Sequence, residues 1–218
     1  AKQITSIKDV EFIAIPTTSG TGSEVTSFAV ITDNEKGTKY PLVSDELLPD
    51  VAILDPDLVK SVPAKITADT GMDVITHALE AYVSTQANDF TDALAEKALV
   101  LAFKYLMPAY KNGKDMEARE KMHNASCLAG IAFNSVSLGL NHGIAHVIGG
   151  KFHVPHGRTN SILLPYIIDF NADIRGYDTN EFSRAAKKYA HIAKLLGLSA
   201  SNARMGVRSL INEIKKMQ

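Results

Sequence analysis

Residues 63–82 read PAKITADTGMDVITHALEAY, and here the chain changes its structural period. Upstream, short β-branched and aromatic runs alternate with turn residues; from Pro63 onward apolar residues recur at helical spacing. Proline is tolerated in a first helical turn, so Pro63 opens a predicted helix that carries Asp73, His77 and Tyr82. Toward the carboxyl end, Asn88 or Thr91 is suited to cap a second helix that reaches Met107 and Pro108. Five more helices are expected over residues 117–133, 140–148, 159–171, 182–196 (ended by Gly197) and 205–215. Toward the amino end, residues 12–15, 25–31, 40–43 and 51–54 read as strands, with residues 33–37 as a hairpin loop. The expected fold is therefore mainly α: a short β-rich part over residues 1–58, then an all-helical domain over residues 59–218.

Composition bounds the function. A chain of 218 residues with 45% hydrophobic and 22% charged residues has an ordinary globular core to bury. With 23 basic and 24 acidic residues, the formal charge of -1 gives no electrostatic reason to expect nucleic acid or an anionic membrane as partner; small molecules are expected instead. A single cysteine, Cys127, excludes an internal disulfide framework, and the amino terminus lacks a signal-peptide pattern, which points to the cytoplasm. No apolar run approaches the roughly 20 residues of a membrane-spanning helix.

Histidine placement carries the sharpest chemical signal. In GMDVITH (71–77), Asp73 and His77 lie four residues apart on a predicted helix and leave the same face. In LNHGIAH (140–146), His142 and His146 repeat that spacing, and His156 follows in VPHG (154–157), on an expected loop between helices. With His153, the stretch 142–156 holds four of the chain's seven histidines. An aspartate and histidine at this spacing, taken alone, more often form an exposed polar pair than a metal site. Gly139, Gly143, Gly149 and Gly150 around the histidine pair mark either close backbone or ligand approach or tight helix packing. His123 and His153 have no such context and read as surface or packing residues. Carboxylate plus imidazole, without thiolate, suits Fe(II) or Zn(II) and argues against iron-sulfur or copper-thiolate centres.

The second signal is PTTSGTGSE (16–24), directly after the first predicted strand. Its glycines allow close backbone approach, and its hydroxyls and amides can donate to phosphate or ribose oxygens. The alternative is a polar loop joining two strands.

Residues 17–26 (TTSGTGSEVT), then Gly71-Met72-Asp73 with His77, then His142, His146 and Pro155-His156-Gly157 together resemble, in order and spacing, the iron-containing (group III) alcohol dehydrogenase family. The wording is most similar to propanol and ethanol dehydrogenases and to the alcohol dehydrogenase module of bifunctional aldehyde/alcohol dehydrogenases. The resemblance implies the dehydroquinate synthase-like fold of that family and reversible hydride transfer between a primary alcohol and NAD or NADP, giving an aldehyde. It implies Asp73, His77, His142 and His156 as ligands of Fe(II), with Zn(II) as the alternative. His146 falls near substrate and nicotinamide, for proton relay or positioning rather than ligation. Thr17, Thr18, Gly20, Gly22, Ser23, Thr26, Lys39 and Leu58 fall at the cofactor, and Phe28 and Val30 near the substrate. Matched to the family, the chain reads as a fragment that begins midway through the nucleotide-binding half and stops before the last helices, expected to be inactive alone and to self-associate as a homo-oligomer through uncovered strands. Two rivals stand beside this reading: a zinc-dependent polyol dehydrogenase or dehydroquinate synthase-type enzyme, and an inactive helical scaffold.

Overall fold

Beyond its exposed first turn, helix α1 (Ala64–Val83) is enclosed on every side, each residue from Gly71 to Tyr82 being buried. A helix buried all round must be the centre of its domain rather than a surface element. It packs against α2 (Asp89–Lys111), α3 (Met116–Val136), α5 (His156–Ala172) and α6 (Arg184–Leu195). Helix α4 (Leu140–Phe152) lies on α5, and α7 (Ala203–Met217) closes the bundle against α5 and α6. The computed structural model describes residues 10–33, 38–174 and 181–218.

Local chemistry sets these boundaries. Both residues considered for the start of α2 take part in it: the Asn88 side chain accepts from Phe90 and Thr91, and the Thr91 hydroxyl accepts from the Asn88 N–H, a reciprocal capping box. Asp115, Ser183 and Asn202 cap α3, α6 and α7 by a single bond each, their side chains accepting from the N–H groups of Ala118, Ala186 and Met205. Helix α2 runs through Pro108 to Lys111 instead of ending there, and α4 extends to Phe152, where His153 stops it in a left-handed conformation (φ 54°). Helix α5 begins at His156, so this histidine is the first residue of a helix and not part of a loop.

The β-rich part is slighter than its sequence pattern. β1 (Ile13–Ala14) pairs in parallel with β4 (Val51–Ala52), and β2 (Phe28–Asp33) pairs antiparallel with β3 (Thr38–Val43), Phe28 opposite Val43. The expected strand from residue 25 starts late because Val25 closes a 3₁₀ turn onto Gly22, while the Ser27 N–H donates to the Asn134 side chain of α3 rather than to a strand. The antiparallel pair fits the expected hairpin; its loop at residues 34–37 lies outside the described residues. Phe12, Ile13, Ile15, Val30 and Val43 remain exposed on this part, as do Ile162, Tyr166 and Phe170 along one face of α5. Among the described residues no helix is long and apolar enough to cross a membrane.

Two contacts seat α5 on α1. Arg158 grips Asp69 through Nε (3.2 Å) and Nη2 (2.9 Å). Beside it, Gly157 lies so close to α1 that a Cβ would overlap the Asp69 carbonyl oxygen. The amino end of α1 is fixed in turn by buried Arg119, which donates to Val62 O and Thr67 Oγ1, both at 2.7 Å, and to Gly113 O at 3.0 Å. Gly157→Ala is expected to destabilise the chain by about 2 kcal/mol, because two backbones must separate to admit one methyl group. Urea denaturation checks this; a change under about 0.5 kcal/mol would show that the helices have room to move.

Candidate metal centre

Asp73 and His77 leave one face of α1 toward α4 and α5, where His142 and His156 meet them. Asp73, His77 and His142 are all buried, and each offers one ligand atom within 4.8 Å of the others. Asp73 Oδ1 lies 3.5 Å from His142 Nε2 and 3.7 Å from His156 Nε2. The His77 and His142 rings stack with centroids 4.5 Å apart, and His156 stands 5.2 Å from His142. The structure thus brings together all four residues of the expected ligand set from three helices.

The nitrogens facing away from this cluster are anchored. His77 Nδ1 lies 3.2 Å from the Gly20 carbonyl, which can only accept, so that nitrogen carries the proton. His142 Nδ1 lies 2.5 Å from Glu80 Oε2, and Glu80 Oε1 accepts the Asn141 N–H at 2.7 Å. On the inward side, the buried Asn160 amide points Nδ2 at Asp73 Oδ1 (2.7 Å), His142 Nε2 (2.9 Å) and His156 Nε2 (3.1 Å). One oxygen and two imidazole nitrogens therefore lie within 3.1 Å of a single amide nitrogen, and these are group types that suit a divalent cation once the imidazoles are deprotonated. Asn141 completes the network by donating to Asn160 Oδ1 at 2.8 Å.

Electrostatics agree with this geometry. Burial alone would raise the Asp73 carboxyl, but the surrounding His77, His142 and His156 hold it well below its ordinary range. Burial pushes His77 down, helped by His142 and His156 and opposed by Asp73. For His142, burial is outweighed by Asp73 on one side and Glu80 on the other, which lift it to about 9. A pocket that so favours a proton on His142 favours a metal cation for the same reason.

The remaining expected residues are placed as follows. His146 is half-buried, its ring 5.0 Å from His156 and 6.0 Å from His142, beside the cluster. The loop from Thr17 to Ser23 is tied down at three points. Ser19 Oγ meets His123 Nδ1 at 3.0 Å, Gly20 O meets His77, and Gly22, with φ 62°, passes so close to Gly130 that a Cβ would sit 2.7 Å from its Cα. Thr17, Thr21 and Ser23 are exposed on this loop, Thr18 is half-buried, and Thr26 is buried behind it. Leu58 is exposed on a 3₁₀ turn (Pro56–Val59) whose Val59 lines the same small cavity as Ser19. Lys39 lies in β3, its side chain outside the described part. Phe28 and Val30 share one face of β2; Phe28 reaches the Phe133 ring (6.2 Å), which stacks on His77 (4.5 Å), while Val30 is half exposed.

Some sequence readings change. His123, read as a surface or packing residue, is buried and takes the packing alternative, fixing the loop through Ser19. Among the glycines, Gly143 meets nothing within 4 Å and makes no close approach, whereas Gly139 faces Glu80. Glu80, Asn141 and Asn160 were missed, although Glu80 continues the Asp73 and His77 face at the next turn and Asn160 lies four residues after His156. An open groove of about 560 Å³ beside Tyr82, Glu96 and Arg184 lies elsewhere, and Lys188 there is paired with Asp92, Arg184 donates to Ser84 O and His191 meets Glu96.

The comparisons with known proteins agree in kind. Residues 67–218 match the family profile described as "Fe-containing alcohol dehydrogenase family, C-terminal", and residues 1–56 match "Iron-containing alcohol dehydrogenase". The 1-propanol dehydrogenase of Salmonella typhimurium is 56% identical over 208 residues, which is 94% of this chain and 54% of that protein. The aldehyde-alcohol dehydrogenase of Streptococcus pneumoniae serotype 4 is 52% identical over 96% of this chain and 24% of its own length. The crystal structure of sulfoacetaldehyde reductase from Bifidobacterium kashiwanohense in complex with NAD+ superposes with a TM-score of 0.81 at 36% identity, covering 95% of this chain and 51% of that one. The chain therefore spans about half, or less, of the relatives it matches.

Asn160→Leu is expected to cost the metal-free chain about 1–3 kcal/mol, since it removes the donor to Asp73 and one of the two acceptors of the Asn141 amide, leaving only the residue 160 carbonyl. Urea denaturation in the presence of a chelator checks it, and an unchanged midpoint would mean that the amide network contributes nothing.

Proposed function

The chain belongs to the iron-containing alcohol dehydrogenase family, and from that premise we propose that it serves reversible oxidation of a primary alcohol to an aldehyde with NAD or NADP. The single observation that carries the reading is the convergence of buried Asp73, His77 and His142, with the part-exposed His156 bringing Nε2 to 3.7 Å from Asp73 Oδ1 and the outward nitrogens of His77 and His142 anchored. In this reading the four side chains hold Fe(II), with Zn(II) also suited to the same donors. When bound, the metal supplies Lewis-acid polarisation of the alcohol oxygen and the dinucleotide supplies the hydride acceptor.

The chain's own residues do the rest. Asp73 brings the negative charge that makes a divalent cation welcome among imidazoles. His146, half-buried beside His156, is placed to carry the hydroxyl proton away through its imidazole nitrogens. Thr17, Thr18, Gly20, Gly22, Ser23 and Thr26 form the phosphate and ribose cradle, with Lys39 and Leu58 at its margin. Phe28, with Val30 on the same strand face, forms an apolar wall for the substrate carbon chain. Residues 1–58 thus contribute the cradle and residues 59–218 the metal centre. The names of the relatives support a short primary alcohol over a polyol as substrate. The exposed apolar strands support association into a homo-oligomer, and the use of a single cysteine supports a reducing, cytoplasmic setting.

Anaerobic equilibrium dialysis with Fe(II) and with Zn(II) tests the proposal. One metal ion per chain is expected, with affinity lowered about 100-fold or more in His142→Ala and little changed in His146→Ala. Equal metal binding by the wild-type chain and His142→Ala would contradict it.

A further inference from the structure

The proposed ligand face of α1 continues past His77 to Glu80, a carboxylate only 4% exposed. Both of its oxygens are committed: Oε2 to His142 Nδ1 at 2.5 Å and Oε1 to the Asn141 N–H at 2.7 Å. Space for this arrangement comes from Gly139, where a Cβ would stand 2.9 Å from Oε1. Behind it, Glu80 borders a cavity of about 310 Å³ that it shares with Ser84, Leu138 and Asn171. A carboxylate withdrawn from water in this way is costly unless each oxygen meets a donor, and here one of the donors is a proposed metal ligand.

We propose that Glu80 is the positioning residue of the metal centre, holding His142 with its proton on Nδ1 and its Nε2 lone pair turned toward Asp73 and His77. The inference rests on the metal reading given above. A neutral imidazole has one donor and one acceptor nitrogen, and a carboxylate pressed against Nδ1 decides which is which. The same contact makes the ring a stronger donor toward a cation. Asn160 Nδ2, 2.9 Å from His142 Nε2 on the opposite side, is consistent with an unprotonated Nε2.

Glutamine distinguishes this role from simple space filling. Its amide has one oxygen, whereas His142 Nδ1–H and Asn141 N–H both require an acceptor. If the oxygen faces His142, the NH₂ opposes the Asn141 N–H. If it faces Asn141, the NH₂ drives the His142 proton to Nε2, where it blocks metal. Glu80→Asp keeps two acceptor oxygens and should recover part of what Glu80→Gln loses. Gly139→Ala keeps the Glu80 carboxylate chemically intact but displaces it.

The test is Co(II) titration of the 218-residue chain, by chelator competition and by the visible ligand-field spectrum, together with long-range ¹⁵N NMR of His142 in the wild type. Expected are a 10–100-fold weaker Co(II) affinity and an altered spectrum for Glu80→Gln, partial rescue in Glu80→Asp, a several-fold loss in Gly139→Ala, and an Nδ1–H tautomer in the Zn(II)-loaded wild type. Glu80→Gln binding Co(II) within threefold of wild type with the same spectrum would overturn the inference and leave the metal reading standing. A wild-type chain that binds no Co(II) would overturn both. Should Glu80→Gln fail to fold, Gly139→Ala and the wild-type tautomer decide: wild-type affinity in the former, or an Nε2–H tautomer in the latter, overturns it.

Discussion

Everything around α1 follows from one constraint: a helix enclosed on all sides carries Asp73, His77 and Glu80 on a single face, and none of these groups can be left without a partner. The partners come from three other segments. Gly20 of the loop holds His77, His142 of α4 meets Glu80, and Asn160 of α5 reaches Asp73. Satisfying buried polar groups thereby fixes where the loop, α4 and α5 must sit, and the inward imidazole nitrogens are left facing a common centre. Fold and site are consequences of the same bonds.

That economy ties the hydroxyl-rich loop to the histidine cluster. His77 cannot turn without releasing Gly20, and Gly20 is in van der Waals collision range of α1, a Cβ there falling 2.6 Å from Thr70 Cβ. Gly22 and Gly130 bring the same loop against α3, and Ser19 pins it to His123. A ligand that orders the loop and a metal that orders His77 therefore act on one shared contact, and each is expected to favour the other by the reciprocity of linked equilibria. Gly157 plays the corresponding part for α5, because the helix reaches Asp73 only where no side chain separates the backbones.

Much of this was legible in the residue pattern. The switch of period at Pro63 located the start of the first helix, and cap chemistry at Asn88 located α2. The four-residue spacings of Asp73 with His77 and of His142 with His146 placed those histidines on helix faces that do converge. What was not legible depended on contacts distant in sequence. The strand expected from residue 25 is shortened by a side chain of α3 that takes the Ser27 N–H. His156 joins α5 because Pro155 suits the residue before a helix as readily as it suits a loop. Glu80 read as one more polar residue on a helix, and its meaning appears only when His142, 62 positions away, is brought against it. His123 carried no local signal of burial at all, since its partner Ser19 lies 104 residues upstream.

The central claim is that oxygen from Asp73 and imidazole nitrogens from His77, His142 and His156 surround one divalent ion. X-ray absorption at the metal edge of the Zn(II)-loaded chain tests it most directly. The account predicts nearest neighbours that are only nitrogen and oxygen, at about 2.0–2.1 Å, with outer scattering from about three imidazole rings. A sulfur neighbour near 2.3 Å, or an oxygen-only environment without imidazole scattering, would contradict it.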